Sequence, residues 1–436
     1  MLANNWKQNL HLEPTKGWLN DPNGLAYFNG KYHIFHQYSY EVNGGLKLWY
    51  YYTSSDLKKY EDRGVFLTPT IEEETHGVYS GSANIEDGKL VFYYTGNVKF
   101  KGDYDYVHAG RGHNTISFET EDGINFTEKK CLLTTDDYPN MSNHVRDPKI
   151  FEKNGKKYLV LGARDSNDYG CLLVYDKDTL KPYKTIYSQK NLGFMWECPD
   201  YFEIDGKEIF MFSPQGITRM YPNYENMYQI GYSVVEDGIE NVDKLDNFTL
   251  LDYGHDFYAS QTFLDEDNNR VLIGWMYVPD SSYTNLTVKF GYQNCLTVPR
   301  VVNFKHGKVR QTLHKSVKDL LGNDIKTNDF NKNTWYYKQE HGESFEISVA
   351  DFKVSYKDKE LKVSFGTSGY GRNDRKYKLD LEDVEIVFDS SSIELFANGG
   401  SFTISTRFYP ENHDVKILAT NYVAKELGAI EIREEN

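Results

Sequence analysis

Three acidic residues stand at matching positions in a chain of 436 residues. They are Asp21 in Trp18-Leu19-Asn20-Asp21-Pro22-Asn23-Gly24, Asp147 in Arg146-Asp147-Pro148 and Glu197 in Trp196-Glu197-Cys198-Pro199. Each precedes an Asx-Gly pair by a similar short interval: Asn29-Gly30, Asn154-Gly155 and Asp205-Gly206 respectively. Carboxyl groups brought close together raise one another's pKa, so one stays protonated while a neighbour ionises. Hydrolysis of a glycosidic bond needs that division of labour, with one carboxylic acid to protonate the leaving oxygen and one carboxylate at the reacting carbon. Singly, each acid has a plainer reading. Asp21 ahead of Pro22 can open a β-turn, and Asp147 can form a surface ion pair with Arg146. Turn chemistry does not account for the shared phase of three acids.

The elements that must position them are short strands. Asx-Gly pairs supply the positive φ angles of tight hairpins, and the residues that follow them, as in Tyr32-His33-Ile34-Phe35 and Leu90-Val91-Phe92-Tyr93, suit strands. A further such turn is Asp87-Gly88, and Asn268-Asn269 is a weaker copy. The turns recur at roughly 50–70 residues, the length of a four-stranded blade. Five units predict an all-β fold, a five-bladed β-propeller over residues 1–300, with a β-sandwich carrying accidental hairpins as the alternative. In a propeller the strand opening each unit can line the central channel, which would bring the three acids into one pocket. The second and fifth units carry Ser80-Gly81-Ser82 and Ala259-Ser260-Gln261 at that phase. Leu313, Val317, Leu320 and Leu321 have helical spacing, which predicts a linker with a short helix over 301–322. Alternating stretches such as Phe345-Glu346-Ile347-Ser348-Val349 predict a β-sandwich over 323–436.

With these motifs in order, the chain resembles glycoside hydrolase family 32, the β-fructofuranosidases. The resemblance extends to Tyr38 after Gln37, Asp256-Phe257-Tyr258-Ala259, Gly274-Trp275-Met276, Leu296-Thr297-Val298-Pro299-Arg300, Ser392-Ile393-Glu394-Leu395-Phe396 and Thr406-Arg407-Phe408-Tyr409-Pro410. It implies a five-bladed β-propeller followed by a C-terminal β-sandwich and a retaining double displacement on terminal β-fructofuranosyl units of sucrose, sucrose 6-phosphate or short fructo-oligosaccharides. Asp21 would be the nucleophile, Glu197 the acid/base, and Asp147 with Arg146 would hold ring hydroxyls. Asn20, Gln37, Trp49 and Ser82 would line the fructosyl subsite, and no metal or organic cofactor is implied. A fructosyltransferase on the same scaffold, or a non-catalytic sugar-binding propeller, are the competing readings. The family usually carries a Met-His-Trp-Gly-His stretch where this chain has Lys47-Leu48-Trp49-Tyr50-Tyr51. That change leaves the acids intact and alters the pocket rim.

Composition limits the partners. With 49 Lys+Arg against 64 Asp+Glu the net charge is −15, which argues against a broad nucleic-acid surface. No apolar run approaches the roughly 18 residues of a membrane span, and the first residues lack the apolar core of a signal peptide. A cytoplasmic enzyme with reduced cysteines is therefore expected, with a small-molecule fructoside as partner and the sandwich as a surface for self-association. Asp265-Glu266-Asp267-Asn268-Asn269 reads as an acidic hairpin turn and not as a calcium loop. Lys99 to Asn114, rich in Tyr, His and charge, reads as a loop between blades. Lys47, Lys99, Lys101 and Arg111 are cations available to a phosphorylated substrate.

Overall fold

The computed structural model describes residues 5–434. Five sheets are built in succession by residues 17–313, and two more by residues 321–427. Neighbouring strands run mainly antiparallel and are joined by tight turns with the backbone expected of them. Asn29 and Gly30 have φ of 50° and 75°, Asp87 and Gly88 48° and 78°, Asn154 and Gly155 51° and 74°, and Asp205 and Gly206 50° and 75°. These left-handed pairs match the twist of the flanking strands.

The five sheets open with Gly17–Phe28, Val78–Glu86, Met141–Lys153, Met195–Ile204 and Tyr258–Leu264. Each opening strand packs against the next, and the fifth returns to the first, so together they form a ring. The ring is latched where Gly17 and Trp18 pair in parallel with Tyr292 and Gln293. At one end of the ring a cavity of about 450 Å³ is lined by the later residues of all five strands, among them Ala26, Ile85, Phe151, Phe202 and Phe263. Above it, Lys149 crosses the interior to Asp200 Oδ1 (3.3 Å) and the Thr262 carbonyl (2.7 Å). The acids lie nearer the start of the strands.

The two remaining sheets face each other across a core that includes Trp335, Phe345, Phe352, Ile386, Leu395 and Ile417. Trp335 stacks on Phe388 at 4.0 Å. The sandwich is bound to the ring by buried charge. His11 bridges Asp389 Oδ2 and Glu394 Oε1, both at 2.8 Å; Arg300 Nε donates to Glu394 Oε2 at 2.7 Å; and Arg372 forks onto Asp256 with two bonds of 2.8 Å. Gly254 is required here, because a Cβ would lie 1.9 Å from the Ser405 carbonyl oxygen. Strand Glu431–Glu434 then pairs in parallel with Lys59–Leu67 of the first sheet.

Two expectations are corrected. The segment expected as a helical linker begins instead as the outer hairpin of the fifth sheet, Arg300–Lys305 paired with Lys308–Leu313. Its burial has period two, with Val309, Gln311 and Leu313 inside, and the His306-Gly307 turn has φ of 54° and 74°. Only Lys315–Lys318 is helical. Likewise Lys99 to Asn114 does not connect sheets. Phe100 to Gly110 is a loop inside the second sheet, between strands Lys89–Lys99 and Arg111–Thr120 that pair along their whole length. The Asp265 turn is the acidic hairpin expected, with Asp265 Oδ1 accepting from the amides of Asp267 and Asn269. No helix among the described residues is long and apolar enough to cross a membrane.

Candidate active site

All five opening strands break register at the same phase. The pairing skips Asn20-Asp21, Ser80, Asp147-Pro148, Cys198-Pro199 and Ala259-Ser260. A bulge re-aims side chains and lets one strand bend. Two of the five skipped segments contain proline and Pro22 directly follows a third; proline tolerates a broken ladder because it has no N–H to donate. Asp147, Cys198 and Ala259 have φ of 63°, 49° and 50°, conformations that cost a non-glycine residue energy and cluster at functional sites.

At this ring of bulges the three acids meet. Asp21 Oδ2 accepts from Ser80 Oγ at 2.5 Å and lies 3.7 Å from Cys198 Sγ; Oδ1 accepts from Asn20 Nδ2 at 3.2 Å. Asn20 also donates to Gln37 Oε1, and its own oxygen accepts from Trp18 Nε1 (3.0 Å) and Lys47 Nζ (3.4 Å). Glu197 is held on both oxygens. Arg146 Nε and Nη2 reach Oε1 at 3.1 and 2.7 Å, while Gln215 Nε2 and Tyr258 Oη each reach Oε2 at 2.7 Å. Asp147 Oδ2 accepts from the Cys198 amide at 2.9 Å, and the Asp147 amide donates to Thr95 Oγ1 at 2.9 Å.

Burial dominates the electrostatics. It pushes the Asp147 carboxyl up to about 7 against the pull of Arg146, with Glu197 and Asp21 adding repulsion. Asp21 is raised as well, first by burial and then by Glu197, with Ser80, Asn20 and Lys47 opposing. The site therefore holds closely spaced carboxyl groups whose environments differ, as acid/base and nucleophilic roles demand.

Of the expected residues, Asn20, Asp21, Gln37, Arg146, Asp147 and Glu197 converge. Two do not take the expected place. Trp49 is wholly buried among Phe35, Phe92 and Tyr94, and its indole donates to the Tyr79 carbonyl at 3.0 Å. It supports the strand that carries Ser80 and offers no face to a sugar. Ser82 is spent on the Pro148 carbonyl at 2.7 Å, and Ser80 is the serine that reaches Asp21. Trp196 is likewise a core residue, its indole bonded to the Leu192 carbonyl. Residues not anticipated here are Ser80, Gln215 and Tyr258. The first belongs to Ser80-Gly81-Ser82 at the shared phase, so the signal was present but its side ambiguous. Gln215 sits across the hairpin, opposite Met195, where only the register reveals it. In the altered Lys47–Tyr52 segment, Tyr51 stacks on Phe35 at 4.1 Å in the core, and Lys47 reaches the site.

Comparisons with known proteins place the chain in one family. The family model for the glycosyl hydrolases family 32 N-terminal domain matches residues 11–314, and that for the C-terminal domain matches residues 325–433. A sucrose-6-phosphate hydrolase of Vibrio alginolyticus is 32% identical over 92% of this chain and 85% of its own length. A raffinose invertase of Escherichia coli is 32% identical over 94% and 90%. Among solved structures, a sucrose-6-phosphate hydrolase from Lactobacillus gasseri superposes with a TM-score of 0.86 at 27% identity, covering 98% of this chain and 94% of that one. A family 32 β-fructofuranosidase of Bombyx mori gives 0.83 at 27% identity, covering 99% and 96%. Domain models spanning most of the chain, full-length relatives and the convergent acids all agree: the chain belongs to glycoside hydrolase family 32.

Proposed function

We propose that the protein is a retaining β-fructofuranosidase, and that the observation carrying this is the meeting of Asp21, Asp147 and Glu197 from three different strands of one ring. Asp21 attacks the anomeric carbon of a terminal fructosyl unit as the bond from that carbon to the leaving oxygen breaks, and Glu197 supplies the proton to that oxygen. Water then attacks the same carbon, Glu197 takes its proton, and the bond to Asp21 breaks. Four donors converge on the two oxygens of Glu197 and fix its position for both proton transfers. Ser80 and Asn20 hold Asp21 in a single orientation. Asp147, whose carboxyl burial pushes up to about 7, binds ring hydroxyls and, as the carboxylate, answers the positive charge that grows on the sugar.

Fructosides are the substrates this reading favours, since the relatives named as sucrose-6-phosphate hydrolases and raffinose invertase share a fructosyl unit and differ in the group that leaves. On the same reading the five sheets of the ring are five propeller blades, supported by the circular packing of their opening strands. The boundary to the sandwich falls at the Lys315–Lys318 helix, and the enzyme works in the cytoplasm. The test is release of reducing sugar from sucrose and kestose by the wild type, Asp21→Ala and Glu197→Ala. Cleavage by the wild type alone is expected. Failure of the wild type on every fructoside, or full activity in either variant, overturns the proposal.

A further inference from the structure

Arg146 grips Glu197 with Nε and Nη2, and its own hold comes from a second irregularity in the same strand. Ahead of the bulge at Asp147-Pro148, strand Met141–Lys153 departs from its partner once more. Val145 pairs with Ala163 and Met141 with Asp165, so Ser142, Asn143 and His144 stand opposite Arg164 alone. Ser142 Oγ fills the gap, donating to the Arg164 carbonyl at 2.8 Å and accepting from the His144 amide at 3.2 Å. Extra residues of this kind re-aim the side chains they carry. Here they turn to the loop Phe100–Gly110. The Asn143 amide donates to the Val107 carbonyl at 2.7 Å. The half-buried His144 ring spans loop and arginine, with Nε2 3.0 Å from the Tyr106 carbonyl oxygen and Nδ1 2.8 Å from Arg146 Nη1.

These two contacts fix the proton on the ring. A guanidinium only donates and a carbonyl only accepts, so Nδ1 is the bare nitrogen and Nε2 carries the hydrogen. An imidazolium would turn an N–H onto Arg146 and set two cations in contact. Burial, with the charges of Arg146 and Arg111, pushes the ring down to about 3, in accord with that geometry. The edge of His113 lies against the ring at 5.3 Å and 81°. Both nitrogens of His113 are buried without a hydrogen-bond partner among the described residues, so it does not compete for either contact. Of the five N–H groups of Arg146, two go to Glu197 and one to His144. Held at both ends, the guanidinium cannot rotate, and two N–H groups are left to face a sugar.

Resting on the reading of the site as a fructosidase, we infer that His144 is a positioning residue for the acid/base. As the neutral ring protonated on Nε2, it locks Arg146 in the orientation that grips Glu197, and it is itself anchored to the loop through the Tyr106 carbonyl. It acts through Arg146 and not on the sugar. Catalytic groups need such supporting hydrogen bonds, since a misplacement of about 1 Å can cost about 10²-fold in rate.

The experiment compares kcat/KM for sucrose and for a nitrophenyl β-fructofuranoside, whose leaving group departs without a proton, in the wild type, His144→Phe and His144→Gln. Phe keeps a ring against His113 and removes both hydrogen bonds, whereas Gln restores one acceptor and one donor. In His144→Phe the fall on sucrose should exceed that on the aryl fructoside by about 10–100-fold, and His144→Gln should recover most of it. An equal fall on both substrates would mean that His144 only shapes the pocket. That result, an unchanged rate on sucrose, or a Gln variant as poor as Phe overturns the inference. Nitrogen-15 NMR of the wild type, with the His144 signals identified by their loss in either variant, reads the ring without need of activity. A bare Nδ1 and a protonated Nε2 are expected; an imidazolium or the opposite tautomer overturns the bridge. If the wild type cleaves neither fructoside, the fructosidase reading falls, and the tautomer alone decides whether His144 holds Arg146. Circular dichroism melting of His144→Phe separates loss of acid catalysis from loss of the fold.

Discussion

Asp389 and Glu394 at the junction of ring and sandwich, and Asp147 within the ring, are buried, with Asp21 half-buried beside it, but the two pairs keep different company. At the junction both of these acids have cations and backbone amides. Asp389 receives His11 and the amides of Asn9 and Leu10; Glu394 receives His11, Arg300 and the amide of Val298. Their carboxyls are held below the ordinary range despite the upward push of burial, which the hydrogen bonds and charges of His11 and Arg300 outweigh. In the ring the same burial is only partly offset, and Asp21 and Asp147 are raised. Identical chemistry thus serves stability where charges are paired and reactivity where acids are crowded. Substitution should separate the two.

The largest effect is expected on turnover. Glu197→Gln keeps the shape and two of the hydrogen bonds, but it cannot carry a proton to the leaving oxygen, so kcat should fall by about 10²–10⁴-fold. Asp21→Asn should cost at least as much, because no covalent intermediate can form. Thermal unfolding should move little in either variant, since relieving acid crowding offsets the lost contacts. A melting temperature lowered as far as kcat would mean that these acids are structural and erase the contrast with the junction.

The converse substitution is Glu394→Ala. Removing one member of a buried ion network strands its partners, here His11 and Arg300, at a cost of about 3–5 kcal/mol. Denaturant unfolding should show this loss, while kcat of the folded fraction at low temperature remains near that of the wild type. Replacing Arg300 and Glu394 together by apolar residues of similar size should recover part of it, as is seen when buried pairs are exchanged for packed hydrophobes.

The family motifs read from the chain divide along the same line. Asp21, Arg146, Asp147 and Glu197 belong to the site, whereas Asp256, Arg300, Glu394 and Arg407 belong to the junction. Residue type and order do not distinguish these uses; only the partner does, and the partners are distant in the chain. The hairpins were legible because Asx-Gly turns are local chemistry. So was the phase of the acids, since it is counted from those turns. The bulges were not: skipping one residue reverses which side of a strand faces the pocket, so Ser80 and Ser82 exchange roles and a plain alternation cannot choose between them. Proline after Asp21, Asp147 and Cys198 was the available sign of broken ladders. Trp49 was misplaced for a related reason, because aromatic residues serve equally well for stacking on a sugar and for filling the space between sheets. The short helix expected within 301–322 rested on four aliphatic positions, and the alternation of Val309, Gln311 and Leu313 there belongs to a strand.

A smaller and more discriminating effect is expected for Asp147→Asn. The Asn oxygen can still accept from the Cys198 amide, so the fold is kept. In the wild type the carboxyl pKa is raised from its ordinary value of 3.8 to about 7. A raised acid is tolerated in the folded state while protonated and opposes folding once ionised. The opposition is absent below about pH 4 and complete above about pH 7. Asn removes it, so the variant should gain stability relative to the wild type at pH 8.5 and lose that advantage at pH 4.5. A gain of about 4 kcal/mol at most is expected, given about 1.4 kcal/mol for each unit of displacement, the attraction to Arg146 being already contained in the raised value. Activity should be strongly reduced at both pH values. Equal stability of the two proteins at pH 8.5 would remove the claim that crowding in the ring is held at a cost.

The smallest effect concerns the other side of the comparison. His11 is pushed up to about 9 by Asp389 and Glu394, which overcome the opposing effect of its burial. A histidine raised in the folded state stabilises fully below its unfolded value near 6.5, and that contribution is lost as pH climbs through 9. Asp389 and Glu394, being lowered, add stability that is present above their ordinary values near 4 and lost in acid. The junction should therefore be strongest between about pH 4.5 and 7. Glu13, buried nearby and pushed up to about 7, and Asp147 also titrate in this range, so the informative quantity is a difference. The melting temperature of the wild type minus that of His11→Gln should be largest near pH 6 and shrink toward zero by about pH 10. A difference that stays constant with pH would mean that His11 acts there as a neutral hydrogen-bond bridge, and that the pairing of charge which sets the junction apart from the active site lies with Arg300 and Arg372.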